Sequence, residues 1–169
     1  NGFKDHLTVV SLATDTEFYH QLPPYEKERM VEVFMQHFYD QLKGEESGFY
    51  FPEELKKVLF PDFAKRLMED VHRIFFASKK LMGREERLDF IEIYYFFLTM
   101  KILETVEPDS FSFTCKDALD IGQSLGAFLV IFQRLINERQ LSVQELECVR
   151  YMLYAPALLV RERLMLHDR

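Results

Sequence analysis

Apolar side chains recur every three or four residues along most of this chain, and that spacing is what most restricts its fold. One stripe lies between Pro24 and Lys43, at Met30, Val33, Phe34, Phe38 and Leu42. This period places the side chains on one face of an α-helix. Similar stripes predict helices over 61–82 and 89–105, and the segment TDTEFYHQL (14–22) predicts a short one. The sequence therefore predicts a helical protein.

Prolines and glycines predict where the helices begin and end. Pro24 opens the first long helix, and the glycine-containing segment 44–48 ends it. A short helix is predicted over 53–59. Pro61 opens a longer helix that ends at Gly83.

Two long packed helices are predicted over 107–169. Capping patterns at Thr114 and Ser142 mark their first turns. Pro156 should kink or break the last helix, because proline removes a backbone donor and clashes with the preceding turn. The whole pattern predicts an all-α, single-domain bundle of about six or seven helices over 1–169.

Composition narrows the class of protein. With 17 Phe, 8 Tyr and no Trp, the chain has the side chains for an aromatic core. Its net charge is −7 and no continuous basic stripe is present, which argues against a nucleic-acid partner. The longest apolar runs are too short for a membrane span. Two cysteines, Cys115 and Cys148, are too few for a disulfide framework, so a reducing, cytoplasmic location is expected.

Two short segments place β-like residues just ahead of a glutamate that opens a helix. In the first, KGEESGFYFPEE (43–54), Gly48, Tyr50 and Glu54 stand at the sixth, eighth and twelfth positions. This order resembles the second half of an EF-hand loop. There, a glycine turns the chain, an apolar residue pairs with the partner loop and a glutamate starts the exiting helix.

The second segment, LMGREERLDFIE (81–92), has Leu88 and Glu92 at the eighth and twelfth positions. Together the two units resemble a degenerate EF-hand-like helix-loop-helix pair over about residues 25–104. The resemblance implies a positive φ at the turn glycine. It also implies a short backbone bridge that brings Tyr50 alongside Leu88.

The first ligand positions of these two loops differ from those of a calcium site. Calcium takes six to eight oxygen ligands, several of them carboxylates. Lys43 and Leu81 occupy the positions where the family has aspartate. An ammonium group repels the ion, and a leucine side chain offers no oxygen. The pair is therefore expected to bind little or no calcium, and no metal or cofactor is predicted.

Glu-x-x-His motifs suggest a different chemistry. Glu17–His20 and Glu69–His72 each place two ligands on one helical face, and Glu32 and Glu92 could complete a di-iron carboxylate set. A helical-bundle metalloprotein is therefore an alternative. No catalytic motif is recognisable in the sequence, so the chain is not expected to be an enzyme.

These observations favour a non-enzymatic protein–protein interaction or regulatory module. It would present an apolar, aromatic groove to an amphipathic helix or peptide of a protein partner. The side chains predicted to line the groove are Phe34, Phe38, Phe75, Tyr94, Phe97 and Met100. An effector or regulatory helical bundle of unrelated topology is a further alternative.

Overall fold

The computed structural model describes residues 7–114, 121–137 and 140–162. Regular structure in these ranges is helical, with two isolated β-bridges outside the helices, so the predicted all-α class is confirmed. Where the sequence predicts one domain, the chain groups into two compact units, 1–107 and 108–169. The helical segments are α1 (Val31–Lys43), α2 (Glu53–Val58), α3 (Ala64–Phe75), α4 (Arg84–Val106), α5 (Ile121–Ile136) and α6 (Val143–Arg161).

The described residues contain five helices rather than the predicted six or seven, because α2 and α3 form one continuous helix. A π turn, Leu59–Phe63, joins them, and the Ala64 N–H reaches back to the Leu59 carbonyl. Since a π turn changes the hydrogen-bond register, it accommodates Pro61, which has no N–H to donate. The short helix predicted over 14–22 is instead a series of turns.

Aromatic rings fill the core of the first unit, as the composition predicts. Phe34, Phe38, Phe90 and Tyr94 are fully buried. The Phe38 and Tyr94 ring centroids lie 4.8 Å apart, edge to face, and those of Phe34 and Phe90 lie 5.3 Å apart. Phe18 stacks on Phe34 at 5.8 Å. Each such pair adds about 0.5–1.5 kcal/mol to the stabilisation from burial alone.

Arg87, near the start of α4, is buried although it is charged. Its Nε donates to Oε1 of Gln21 at 2.6 Å, and its Nη1 donates to the Met82 carbonyl at 3.0 Å. Its Nη2 donates to the carbonyl of Glu26 at 2.9 Å and to that of Tyr25 at 3.4 Å. Burial lowers the pKa of Arg87. The guanidinium thus ties the chain ahead of α1 to the start of α4.

The segment 11–30, which we call the strap, makes further polar contacts with α4. The Tyr95 hydroxyl, which is buried, donates to the carbonyl of Ala13 at 2.6 Å. The Tyr19 hydroxyl donates to the carboxylate of Glu92. These bonds satisfy polar groups that would otherwise be costly to bury. The strap is therefore held against α4 at several points along its length.

A β-bridge lies at each end of the strap. Ser11 and Tyr50 exchange two backbone hydrogen bonds, 2.9 and 3.0 Å long, and Met30 pairs with Leu81. The first bridge joins the strap to the loop between α1 and α2. The strap thus connects α4 with that loop.

The bridge at Tyr50 corrects the predicted pairing of the two loops. Tyr50 pairs with Ser11, whereas Leu88 lies inside α4. Glu86 explains the difference, because its carboxylate accepts a hydrogen bond from the Gly83 N–H at 2.8 Å. This contact caps the helix, so α4 begins inside the predicted second loop.

The second unit contains α5 and α6, which pack against each other. Ser142 caps α6 as predicted, accepting from the Glu145 N–H at 3.2 Å. The helix continues past Pro156 to its last residue rather than breaking there. Gly122 allows a close backbone approach, because a Cβ would lie 2.8 Å from the Phe113 carbonyl oxygen. The capping pattern predicted at Thr114 extends outside the described residues. No helix in the described ranges has the length and apolarity needed to cross a membrane.

Gly48 has the predicted left-handed conformation, with φ 84° and ψ 0°. Replacing it with alanine should lower the free energy of unfolding by about 1–2 kcal/mol, because a Cβ is strained there. Gly83→Ala is the matched control, since Gly83 has φ −69° and only ordinary contacts. Urea denaturation of both variants tests this. Equal losses would contradict the strain argument.

Candidate binding site

The side chains predicted to line a groove do not share one surface. Phe34, Phe38 and Tyr94 are fully buried in the core and cannot reach a partner, which corrects that prediction. Phe75 is exposed, its ring centroid lies 6.0 Å from that of Phe97, and Phe97 and Met100 are half-buried. An apolar stripe predicts which face is buried, but it does not distinguish a core from a groove.

The residues predicted to form structural turns have separate roles. Gly48 makes the turn, and the side chain of Tyr50 is 56% exposed. Glu54 is exposed in the first turn of α2, where a negative charge suits the helix dipole. Leu88 and Glu92 both lie in α4, away from any loop. Residues 44–52 therefore join α1 to α2, whereas residues 84–92 are helical.

A concave site of about 450 Å³ lies beside that first loop, and we call it the aromatic–lysine pocket. The end of α1, the turn after it and the start of α2 supply its walls. Its aromatic part is well packed, with Phe49 and Phe51 stacked at 6.4 Å and Phe51 edge-on to Phe60 at 5.4 Å. Its lining residues are Leu42, Lys43, Gly44, Phe49, Tyr50, Phe51, Lys56 and Phe60.

Two lysines, Lys43 and Lys56, line the pocket. Lys43, which lines it, lies 5.3 Å from the centroid of the Tyr39 ring, and Lys65 lies 4.7 Å from the same centroid. Lys56 also lines the pocket and forms an ion pair with Glu53 at 2.8 Å. The charged residues among those that line the pocket are both lysines, and they lie above an apolar floor. The segment 40–57 around them also carries five acidic residues, Asp40, Glu45, Glu46, Glu53 and Glu54.

A second cavity, of about 490 Å³, lies on another face of α1. Its lining mixes both signs of charge, including Lys27, Glu28 and Asp40, with His37 beside Tyr25 at 5.9 Å between ring centroids. The mixed charge selects no class of ligand as clearly as the aromatic–lysine pocket does.

The Glu-x-x-His motifs do not come together. His72 lies with its Nε2 2.8 Å from the Lys79 carbonyl, and His20 lies 3.7 Å from Asp15. Glu92 accepts a hydrogen bond from a tyrosine. In the parts of the chain that the structure describes, no three His, Cys, Asp or Glu side chains are grouped as a metal site requires. No observation therefore favours the metalloprotein alternative.

Sequence reasoning missed the aromatic–lysine pocket although its residues were visible. The aromatic run 49–51 was interpreted as a loop bridge, and Lys43 only as an obstacle to calcium. The signal that could have identified the site was the position of Lys43 and Lys56 on both sides of the aromatic run.

Comparison of the chain with protein-family models, with curated proteins and with solved structures finds no match. The function must therefore be inferred from the geometry and chemistry of the chain itself.

The ion pair between Lys56 and Glu53 at the pocket rim should be detectable as a change in the pKa of Glu53. The hydrogen bond from Lys56, followed by its charge, lowers the pKa of Glu53. Carbon-detected NMR titration should find the Glu53 pKa below its usual range, and Lys56→Met should raise it. Because the folded-state pKa is depressed, the pair's small contribution to stability should be lost as pH falls through that pKa. Lys80→Met is the control, and an unchanged Glu53 pKa in Lys56→Met would contradict the assignment.

Proposed function

We propose that this chain is a non-enzymatic binding module that holds an acidic peptide segment of a protein partner in the aromatic–lysine pocket. The observation that carries the proposal is the combination of an apolar aromatic floor with lysines at the rim. This class of function is the one that the sequence favours, but the site is the aromatic–lysine pocket and not the predicted groove.

The floor of the pocket suits a bulky apolar side chain of the partner. Leu42, Phe49 and Phe51 are buried by their neighbours and form a packed base, so the half-buried Phe60 and the exposed Tyr50 supply most of the apolar surface that a partner can reach. Tyr50 stands largely exposed beside them and could close over an inserted side chain. The volume falls in the range of about 300–1,000 Å³ that is typical of ligand clefts. Burial of one leucine or phenylalanine there would contribute about 1.5–3 kcal/mol.

The rim of the pocket suits carboxylates next to that apolar anchor. Lys43 is exposed and so can reach a bound peptide, whereas Lys65 lies over the Tyr39 ring, outside the residues that line the pocket. Exposed ion pairs contribute only about 0.2–1 kcal/mol each, so the lysines would select an acidic sequence more than they would supply affinity. The expected motif is one bulky apolar residue with aspartate or glutamate on either side.

The lining of the pocket supports binding rather than catalysis. Among the described lining residues there is no carboxylate, histidine, serine or cysteine that could serve as a general base or nucleophile. The polar groups are two lysines and a tyrosine, which suit recognition of an anion.

A peptide titration tests the proposal. A fluorescein-labelled peptide with leucine or phenylalanine between glutamates should bind with a micromolar Kd, and its glutamine counterpart should bind at least tenfold more weakly. Lys43→Glu should weaken binding about tenfold, because it removes one attraction and adds a repulsion. Glu53→Gln should strengthen binding a few-fold, because it removes a negative charge from the rim of the pocket.

Lys80→Glu is the matched control, because Lys80 is exposed and lies far along α1 from Lys43. Its backbone carbonyl accepts a hydrogen bond from the Val31 N–H, at the start of α1, whereas Lys43 is at the end of that helix. It changes the net charge equally and should leave the Kd within twofold. Equal binding of the glutamate and glutamine peptides would refute the proposal. So would an equal loss in both lysine variants.

A further inference from the structure

Two lysine ammonium groups lie over one aromatic ring beside the aromatic–lysine pocket. The Nζ atom of Lys43 is 5.3 Å from the centroid of the Tyr39 ring, and that of Lys65 is 4.7 Å from the same point. The two nitrogens therefore cannot be farther apart than these two distances together. Lys43 is the last residue of α1 and Lys65 is in the first turn of α3, so the fold brings together two cations that are distant in sequence.

The Tyr39 ring is held by the core, so it can position both lysines. Tyr39 is buried, and its hydroxyl donates to the Phe60 carbonyl at 3.0 Å. A cation over an aromatic face is attracted by the ring quadrupole, which favours the lysine conformations that keep both ammonium groups here. Phe60 also lines the aromatic–lysine pocket, so the pair of lysines adjoins that pocket.

Neither lysine of the pair has a carboxylate partner among the described side chains. The ion pairs of this surface use other basic residues, for example Lys56 with Glu53. Lys43 and Lys65 are both exposed. Because two like charges that lie near one another repel, an anion that contacts both of them would offset that repulsion. The pair therefore suits a group with more than one negative charge.

We propose that Lys43 and Lys65 together bind a phosphoryl group of the partner peptide, on a phosphoserine next to the bulky apolar residue. This inference rests on the proposed function and names its peptide more narrowly. A phosphoryl group carries about −1.5 to −2 charges at pH 7 and has three acceptor oxygens, so it can accept from two ammonium groups at once. A glutamate, with one charge, is served by Lys43 alone.

A phosphorylated peptide fits this place better than an anionic membrane does. Residues 40–57 carry five acidic residues and three lysines. A membrane surface would meet those acidic side chains, whereas one phosphoryl group on a peptide needs to contact only the pair of lysines. The concave pocket beside the pair also takes an apolar side chain, which a lipid headgroup does not supply.

Fluorescence anisotropy with three labelled peptides, which differ only at one residue beside the apolar anchor, tests the inference. The phosphoserine peptide should bind the unaltered chain about tenfold more tightly than the glutamate peptide, and the serine peptide should bind most weakly. Lys65→Met should weaken phosphoserine binding about tenfold and change the glutamate Kd less than twofold, because Lys65 lies outside the pocket. Lys65→Arg should keep the preference, because arginine keeps the charge.

Lys57→Met is the matched control, since Lys57 is an exposed lysine of the neighbouring helix α2 that does not line the pocket. It removes the same charge and should leave the preference for phosphoserine within twofold. Inorganic phosphate should displace the phosphoserine peptide only at millimolar concentrations, because free phosphate lacks the apolar anchor.

Equal binding of the phosphoserine and glutamate peptides would overturn this inference and leave the proposed function standing. Failure of both peptides to bind would contradict the proposed function as well. A preference that survives in Lys65→Met, or one that Lys57→Met also removes, would overturn the inference. The same holds for inorganic phosphate that competes at micromolar concentrations, or for phosphoinositide-containing vesicles that bind more tightly than the phosphoserine peptide.

Discussion

The first unit depends on one buried guanidinium, that of Arg87. A charged group is costly to remove from water. The N–H groups of Arg87 donate to backbone carbonyl oxygens and to a side-chain amide oxygen rather than to a carboxylate. Because carbonyl oxygens carry only partial charges, several of them must converge to stabilise the cation. Gln21 contributes its side-chain oxygen, and its own NH₂ group donates to the Phe18 carbonyl at 2.6 Å. The position of Arg87 therefore specifies the path of the backbone that supplies those oxygens.

The same backbone path also positions one edge of the candidate binding site, which lies away from Arg87. The strap contacts Arg87 and α4 along its length and begins at Ser11. Ser11 pairs with Tyr50 at the edge of the aromatic–lysine pocket. Ser11 also donates from its hydroxyl to the Gly48 carbonyl at 2.8 Å, which supports the turn from which the pocket wall begins. The aromatic core and the strap thus hold the pocket from two sides. The pocket is largely pre-formed, so a ligand would pay little for ordering it.

The sequence predicted those features that depend on local chemistry. Apolar spacing located the long helices, although α1 begins at Val31 and not at Pro24. Ser142 caps α6 and Gly48 adopts a positive φ. Prediction from the sequence failed for features that depend on a contact distant in sequence or on a different helical hydrogen-bond register. Pro61 predicts a helix start, because a π turn cannot be recognised from residue types. The bridge of Tyr50 to Ser11 joins residues 39 positions apart in sequence. The groove prediction failed because periodicity shows which helix face is apolar, but it does not show whether that face packs in the core or contacts a partner.

Hydrogen–deuterium exchange of the Arg87→Met variant tests most directly whether this anchor organises the strap and the pocket. The variant should lose protection at the Gln21 amide and also at the bridged amides of Ser11 and Tyr50, while α3 stays protected. Arg73→Met is the control, since Arg73 is an exposed arginine on α3, and it should change none of these amides. Loss of protection confined to the neighbours of Arg87, with the Tyr50 amide unchanged, would contradict the account.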